Sequence, residues 1–209
     1  MQEIINPIVF NKSKFYLQKN KYLLIPKENI PFTKEEWERL NFFTEEQNLP
    51  YSKVNKGDTH EAVSANVFRI KLAGNDSILH EDLMNILGSS KMLNFYRKIA
   101  NNDQLIIDRC QAHLYKENDF ISRHIDRESY SGYLYSILLA ISEDFTGGEI
   151  ILYGENTADK FAIPYQSILF ADSNIPHEVL PVKSGVRKTI ALFLMEAGTP
   201  KAGLKSNDS

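Results

Sequence analysis

Residues 104–126 read QLIIDRCQAHLYKENDFISRHID: two β-rich runs joined by a polar turn and closing on His124 and Asp126. In a strand, side chains at i and i+2 share one face, so this histidine and this carboxylate can reach a common point, and a metal ion is the usual occupant of such a point. The competing reading is a surface pair at a strand end. With five His and eleven Asp in 209 residues, an HxD triplet arises by chance in roughly one chain in four of this composition, so the pair means little without partners.

Working outward, the same strand pattern continues to residue 196. QLIIDRCQAHLY, DFISRHI, YLYSILLAIS, GEIILYG, KFAIP, QSILFA, HEVLPV and RKTIALFLME follow one another at short spacing, with Asn, Gly, Asp and Pro between them. Eight such runs predict an antiparallel sandwich or barrel, and eight is the strand count of a jelly roll. Upstream, KYLLIP (21–26) is a short apolar run. FTKEEWERLNFFTEEQ (32–47) predicts an amphipathic helix opened by a capping box of Thr33 and Glu36. HEDLMNILGSSKMLNFYRKIA (80–100) spaces Leu83, Ile86, Leu87, Leu93, Tyr96 and Ile99 at helical intervals, with Gly88 as a break. KVNKGDTHE (53–61) reads as an exposed loop, and ANVFRIKL (65–72) as a cover over the barrel. The expectation is a mainly β chain with flanking helices (α+β), the helices packed on one sheet. It forms one domain over 1–209, with a support region at 1–103, a core at 104–197 and a fraying tail at 198–209.

Composition narrows the function classes. Apolar residues are 43% and charged residues 24% of the chain, and no run approaches the roughly 18 apolar residues of a membrane helix. Without a signal-peptide pattern, and with Cys110 as the single cysteine, a reducing cytoplasm is the expected compartment. A net charge of −3 gives no general attraction to nucleic acid, and neither a nucleic acid nor a membrane is an expected partner. Any metal must rest on His and carboxylate.

A third ligand is available in His177, at the start of the seventh strand. Strands two and seven of an eight-stranded double sheet can be neighbours, which would bring His177 to His124 and Asp126. Two histidines and a carboxylate on one face of a metal leave positions open for a bidentate cosubstrate and dioxygen, as in non-haem Fe(II) oxygenases. Zinc accepts similar ligands, so ligand type alone does not decide. The final strand is more telling. Arg187, Thr189, Ala191 and Phe193 alternate onto one face, after a turn at KSG that Gly185 suits. A guanidinium inside a barrel is costly unless it meets an anion, and its planar fork matches a carboxylate. Small Thr189 and Ala191 leave room for a dicarboxylate reaching from the metal to Arg187. The alternative is a rim arginine in a surface salt bridge.

Residues 108–196 resemble the 2-oxoglutarate and Fe(II)-dependent dioxygenases, within them the prolyl-4-hydroxylase-like branch. The ordered likenesses are Gln111 and Tyr115 in CQAHLY, His124 and Asp126, FTGGEIILY with Gly147 and Gly148, PHEVLPV, and Arg187. The resemblance implies a double-stranded β-helix (jelly-roll) core. It implies Fe(II) held by His124, Asp126 and His177, with 2-oxoglutarate as cosubstrate, dioxygen as oxidant and ascorbate in a supporting role. It also implies that Arg187 anchors the cosubstrate with Tyr115 and Thr189. A second pocket tyrosine found in some relatives has Leu138 and Leu139 near its place here, with Tyr133 or Tyr135 as substitutes. Intact Asp126 favours hydroxylation over halogenation, and Phe193, where the nucleic-acid repair branch has a second arginine, argues against that branch.

His113 either lines a substrate pocket or is a satisfied buried histidine. Arg123 and Arg127 flank the metal pair and are candidates to meet substrate at the mouth, while His60 and His80 lie in polar segments. The expected reaction is hydroxylation of an unactivated carbon in a small-molecule or peptidyl substrate, such as an amino acid, a prolyl residue or a natural-product intermediate. The alternative is a cupin-like metal-binding protein or metal-dependent hydrolase on the same jelly roll, for which Arg187 beside the metal would have no obvious purpose.

Overall fold

In the computed structural model, which describes residues 17–57, 62–70 and 78–199, the strand runs from residue 104 onward curl into one antiparallel sheet. They are β4 (Leu105–Tyr115), β5 (Phe120–His124), β6 (Tyr135–Ala140), β8 (Ile150–Tyr153), β9 (Ala158–Phe161), β10 (Ile168–Asp172), β11 (His177–Val179) and β13 (Arg187–Glu196). HEVLPV does not run through as one strand. It breaks at Leu180 and Pro181, and Val182–Gly185 becomes β12, paired with β7 (Phe145–Gly147) in a separate two-stranded sheet. The expected KSG turn is therefore the end of a short strand. Gly185 makes the bend at φ +76°, where a Cβ would stand 2.1 Å from the Asp144 carbonyl oxygen, so no other residue fits there.

The N-terminal half is woven into this sheet. The order is β1, β10, β6, β13, β4, β3, β5, β11, β8, β9, with β2 paired outside β3. Here β1 is Tyr22–Ile25, β2 is Ser52–Gly57 and β3 is Ala62–Ile70. Two expectations are corrected. The first part of KVNKGDTHE is strand β2, in register with β3 from Ser52↔Val67 to Gly57↔Ala62; residues 58–61, His60 among them, lie outside the described residues. Residues 65–70 of ANVFRIKL belong to a strand seated between β4 and β5 and are no cover, while Lys71 and Leu72 lie outside the described residues. The physical reason is that β4 would otherwise leave an unpaired edge, and β3 fills it while burying Val63 and Ala65 against Tyr115, Val179 and Val182.

Helices α1 (Lys34–Phe43), α2 (Ile78–Leu87) and α3 (Ser90–Ala100) pack on one face of the sheet. Thr33 and Glu36 close the capping box at both ends, by Glu36 N–H to Thr33 Oγ1 at 3.1 Å and Thr33 N–H to Glu36 Oε2 at 2.8 Å. Trp37, Leu40 and Phe43 of α1 and Met92, Phe95, Tyr96 and Ile99 of α3 are buried in the core that also holds Cys110, Ala112, Ile137, Leu139, Ile190 and Leu192. Because strand side chains alternate, the opposite face presents Gln111, His113 and Tyr115 from β4 and Arg187, Thr189, Ala191 and Phe193 from β13. That face builds the site. The side chain of His80 and residues 200–209 lie outside the described residues, and no described helix is long and apolar enough to cross a membrane.

Candidate metal centre and pocket

His124 ends β5 and His177 begins β11, and the two are paired directly across the ladder with ring centroids 4.2 Å apart. Asp126 completes the group from a different element. It opens a short helical turn, α4 (Asp126–Ser129), so the strand argument for a shared face holds only through Ile125, which is extended at φ −125° and ψ 122°. Beyond it, the Arg127 N–H donates to the Ser173 carbonyl at 3.1 Å and the Glu128 N–H to the Ile125 carbonyl at 3.0 Å. These bonds turn the chain inward and carry the carboxylate to both rings. Asp126 Oδ1 lies 3.5 Å from His124 Nε2, and Oδ2 lies 3.7 Å from His177 Nε2. One ligand atom from each of the three lies within 4.8 Å of the others, and together they could hold a metal ion.

The imidazoles are oriented alike. His124 Nδ1 is 2.8 Å from the Ser122 carbonyl and His177 Nδ1 is 3.0 Å from the Ile175 carbonyl, in each case two residues back. A proton on Nδ1 donated to those carbonyls leaves the Nε2 lone pairs facing Asp126, the tautomer a ligand needs. Burial works against ionising Asp126, but without a metal the neighbouring His177 and His124, protonated toward it, hold it well below the usual carboxylate range, and a bound cation would take the place of those protons.

Beside this group lies a cavity walled by Leu138, Ile150, Leu152, Leu169, Ala191 and Phe193. Deeper, Arg187 is 3% exposed and its guanidinium carbon sits 4.9 Å from the Tyr115 ring centroid. Arg187 Nη1 and Thr189 Oγ1 are buried without a hydrogen-bond partner among the described residues. Two orphaned polar atoms on one strand face are what a bound carboxylate would satisfy, and leaving them so is costly otherwise. Gly148 makes room for this arginine: at φ +63°, a Cβ there would come 2.8 Å from Arg187 Cδ.

Residues 110–195 match the sequence model of the 2OG-Fe(II) oxygenase superfamily. Those residues resemble the core of the 2OG-Fe(II) oxygenases. The fold agrees: a 2OG-Fe(II) oxygenase family oxidoreductase from Burkholderia pseudomallei superposes with a TM-score of 0.79 at 21% identity, covering 89% of this chain and 90% of that one. A prolyl hydroxylase from Trichoplax adhaerens, in complex with a hypoxia-inducible-factor peptide fragment, gives 0.68 at 20% identity, covering 91% and 90%. The α-ketoglutarate-dependent epimerase SnoN of nogalamycin biosynthesis gives 0.72 at 12% identity, covering 92% and 84%. No curated protein matches the sequence. The oxygenase family uses Fe(II), 2-oxoglutarate and dioxygen, and the His-Asp-His group could hold such a metal.

Several residues expected in the pocket stand elsewhere. Tyr135 is not a pocket residue: its ring packs on Phe170, 5.1 Å between centroids, on the helix side. Strand alternation in β6 turns Ser136 and Leu138 into the cavity instead. Tyr133 stacks on Phe193 at 5.1 Å and donates its hydroxyl to Asp108 at 3.3 Å. Arg123 and Arg127 do not line the cavity either. Arg123, on the face opposite His124, lies over the Tyr153 ring at 4.0 Å, and Arg127 Nε donates to the Ser131 carbonyl at 2.8 Å, bracing the turn.

His113 satisfies both readings given to it, because it lines the cavity and is bonded on both nitrogens. Nδ1 is 3.2 Å from the Tyr115 hydroxyl and Nε2 is 3.3 Å from the Gln111 side-chain amide. With the Gln111 oxygen turned toward the guanidiniums of Arg109 (2.6 and 3.1 Å) and Arg69 (3.3 Å), its NH2 faces His113. Nε2 is then the acceptor and Nδ1–H donates to the Tyr115 oxygen, which frees the Tyr115 proton for a ligand. Burial, aided by Arg187 and Arg109, pulls His113 down to about 3 and keeps it neutral. Sequence alone missed Ser136, Arg69 and Arg109. Ser136 was hidden in an apolar run, and Arg69 lies on a strand far upstream, joined to Gln111 only by the β3–β4 register.

Proposed function

We propose that this oxygenase hydroxylates an unactivated carbon of an amino acid, a peptidyl residue such as proline, or a natural-product intermediate, with release of succinate and carbon dioxide. The observation that carries the reading is the pairing of an intact His124, Asp126, His177 group with two buried atoms, Arg187 Nη1 and Thr189 Oγ1, that lack hydrogen-bond partners among the described residues. In this reading the three side chains hold Fe(II), which when bound supplies the oxidising chemistry on dioxygen with 2-oxoglutarate as co-reductant. Arg187 and Thr189 take the distal carboxylate of 2-oxoglutarate, and Tyr115, its oxygen occupied by His113, donates its proton to the same ligand. The apolar walls from Leu138, Ile150 and Leu152 exclude water and hold the target carbon.

The prolyl hydroxylase neighbour is crystallised with a peptide and the epimerase acts in nogalamycin biosynthesis, so both peptidyl and small-molecule substrates are accommodated by this fold. The test is anaerobic addition of Fe(II) and 2-oxoglutarate, watched for the visible charge-transfer band of the chelate, followed by air and a screen of amino acids and peptides for stimulated succinate. The product should gain one oxygen atom from labelled dioxygen. A turned-over substrate that gains none would overturn the hydroxylase assignment.

A further inference from the structure

We propose that Arg69 and Arg109 form a second anion site at the outer end of the pocket, and that the substrate carries a carboxylate on an apolar body. The inference rests on the oxygenase reading and names its substrate class. Arg69 of β3 stands opposite Gln111 of β4, and Arg109 lies two residues before it on the same strand face. Both guanidiniums converge on the end of the Gln111 side-chain amide, and with its oxygen turned toward them the distances are 2.6 and 3.1 Å from Arg109 and 3.3 Å from Arg69. Two cations thus share one neutral acceptor, and Arg109 also bonds the Tyr133 hydroxyl. Among the described residues no carboxylate lies within ion-pair distance of either, although other surface cations such as Arg39 and Lys91 have theirs. Two like charges held together with donors to spare are stabilised by an anion, and a carboxylate matches their forks.

The pair is placed to hold something that also enters the cavity. The Arg109 guanidinium carbon lies 5.2 Å from the Phe193 ring centroid, and Phe193 lines the cavity with Ala191 and Leu138. A ligand held at the pair can extend its apolar part along that wall. Its charge reaches inward too, since Arg109 helps keep His113 neutral. Arg69 is exposed whereas Arg187 is buried, so the two arginine sites face different surroundings. They are also separate. Arg187 pairs with Tyr115 and the outer pair meets at Gln111, four residues away, on the order of 13 Å along the strand. That is more than one five-carbon dicarboxylate spans, so the outer site takes a different molecule from the cosubstrate.

The experiment offers N-acetylated apolar amino acids and their primary amides to the full-length Fe(II) enzyme with 2-oxoglutarate, and reads stimulated succinate formation. The acids should stimulate at least tenfold more efficiently, as kcat/KM, than the matching amides. Arg69→Gln and Arg109→Gln should bring that ratio close to one, and raised salt should lower it. Arg69→Glu should shift the preference from acids to cationic amine analogues, a gain that a misfolded variant cannot produce. Equal stimulation by acids and amides, or an acid preference that survives both substitutions, would overturn the inference. Acid-selective turnover without oxygen incorporation would instead overturn the hydroxylase reading and leave the carboxylate site standing.

Discussion

His124 and His177 face each other across the β5–β11 ladder with ring centroids 4.2 Å apart, and Asp126 reaches both from the turn that follows β5. The two strands are 53 residues apart in the chain, so a metal at this point ties distant segments together and binds only the folded state. A ligand present at a hundred times its Kd stabilises by about 2.7 kcal/mol. For a chain of this length that corresponds to a rise of about 5–10 °C in Tm. Anaerobic Fe(II), or Mn(II) as a redox-stable substitute, should produce such a shift by calorimetry. Asp126→Ala should abolish it and remove succinate formation.

Arg187 gives a prediction with two opposite signs. Its Nη1 is buried without a partner among the described residues, and burial disfavours its charge more than the hydrogen bond to Tyr115 favours it, so the ligand-free protein is destabilised by this side chain. Arg187→Met keeps an apolar stem of similar length and should stabilise the ligand-free fold by about 1–3 kcal/mol in denaturant titrations. The same change should raise KM for 2-oxoglutarate about ten- to hundredfold, the worth of charge-assisted hydrogen bonds. Loss of stability in the ligand-free variant would show that the guanidinium is satisfied within the fold.

The legible parts of this molecule are those fixed by local pattern. The period-2 alternation of RKTIALFLME separates Ile190 and Leu192, in the helix-side core, from Arg187 and Thr189 on the site face, and it is readable without coordinates. The capping box at Thr33 is equally local. What escaped depends on register between distant strands. KVNKG has too few apolar residues to read as a strand, and only its partner β3 makes it one. Arg69 meets Gln111 because β3 is inserted beside β4, an event with no local signature. Asp126 illustrates the intermediate case: its reach to His124 was legible, but the helical turn that delivers it depends on a bond to Ser173 across the fold.

Gly148 is a test of how tightly Arg187 is held. At φ +63° it adopts a conformation that costs an alanine about 1 kcal/mol, and the new methyl would press on Arg187 Cδ from 2.8 Å. Gly148→Ala should therefore displace the guanidinium and raise KM for 2-oxoglutarate roughly tenfold, with a smaller change in kcat. Steady-state kinetics at saturating dioxygen would check this. An unchanged KM would mean that the Arg187 stem has room to move aside.

His113 makes the stability of the ligand-free protein depend on pH in a defined window. Burial first, then the charges of Arg187 and Arg109, pull its pKa down to about 3, from 6.5 for an ordinary histidine. Between those values the unfolded chain binds a proton that the folded protein does not. Stability therefore rises with pH across the window, is full above about 6.5, and declines as the pH falls below it. At pH 5 the loss from this residue amounts to about 2 kcal/mol, 1.5 pH units at 1.36 kcal/mol each. His113→Gln keeps polar groups near Tyr115 and Gln111 but cannot take up the proton. Urea unfolding at pH 5 and pH 7 should show a difference about 2 kcal/mol smaller in the variant than in the unaltered protein. Equal differences in the two would place a second proton on His113 Nε2 in the folded state, where it would face the Gln111 NH2 donor, and would overturn this assignment of the Gln111–His113 hydrogen bond.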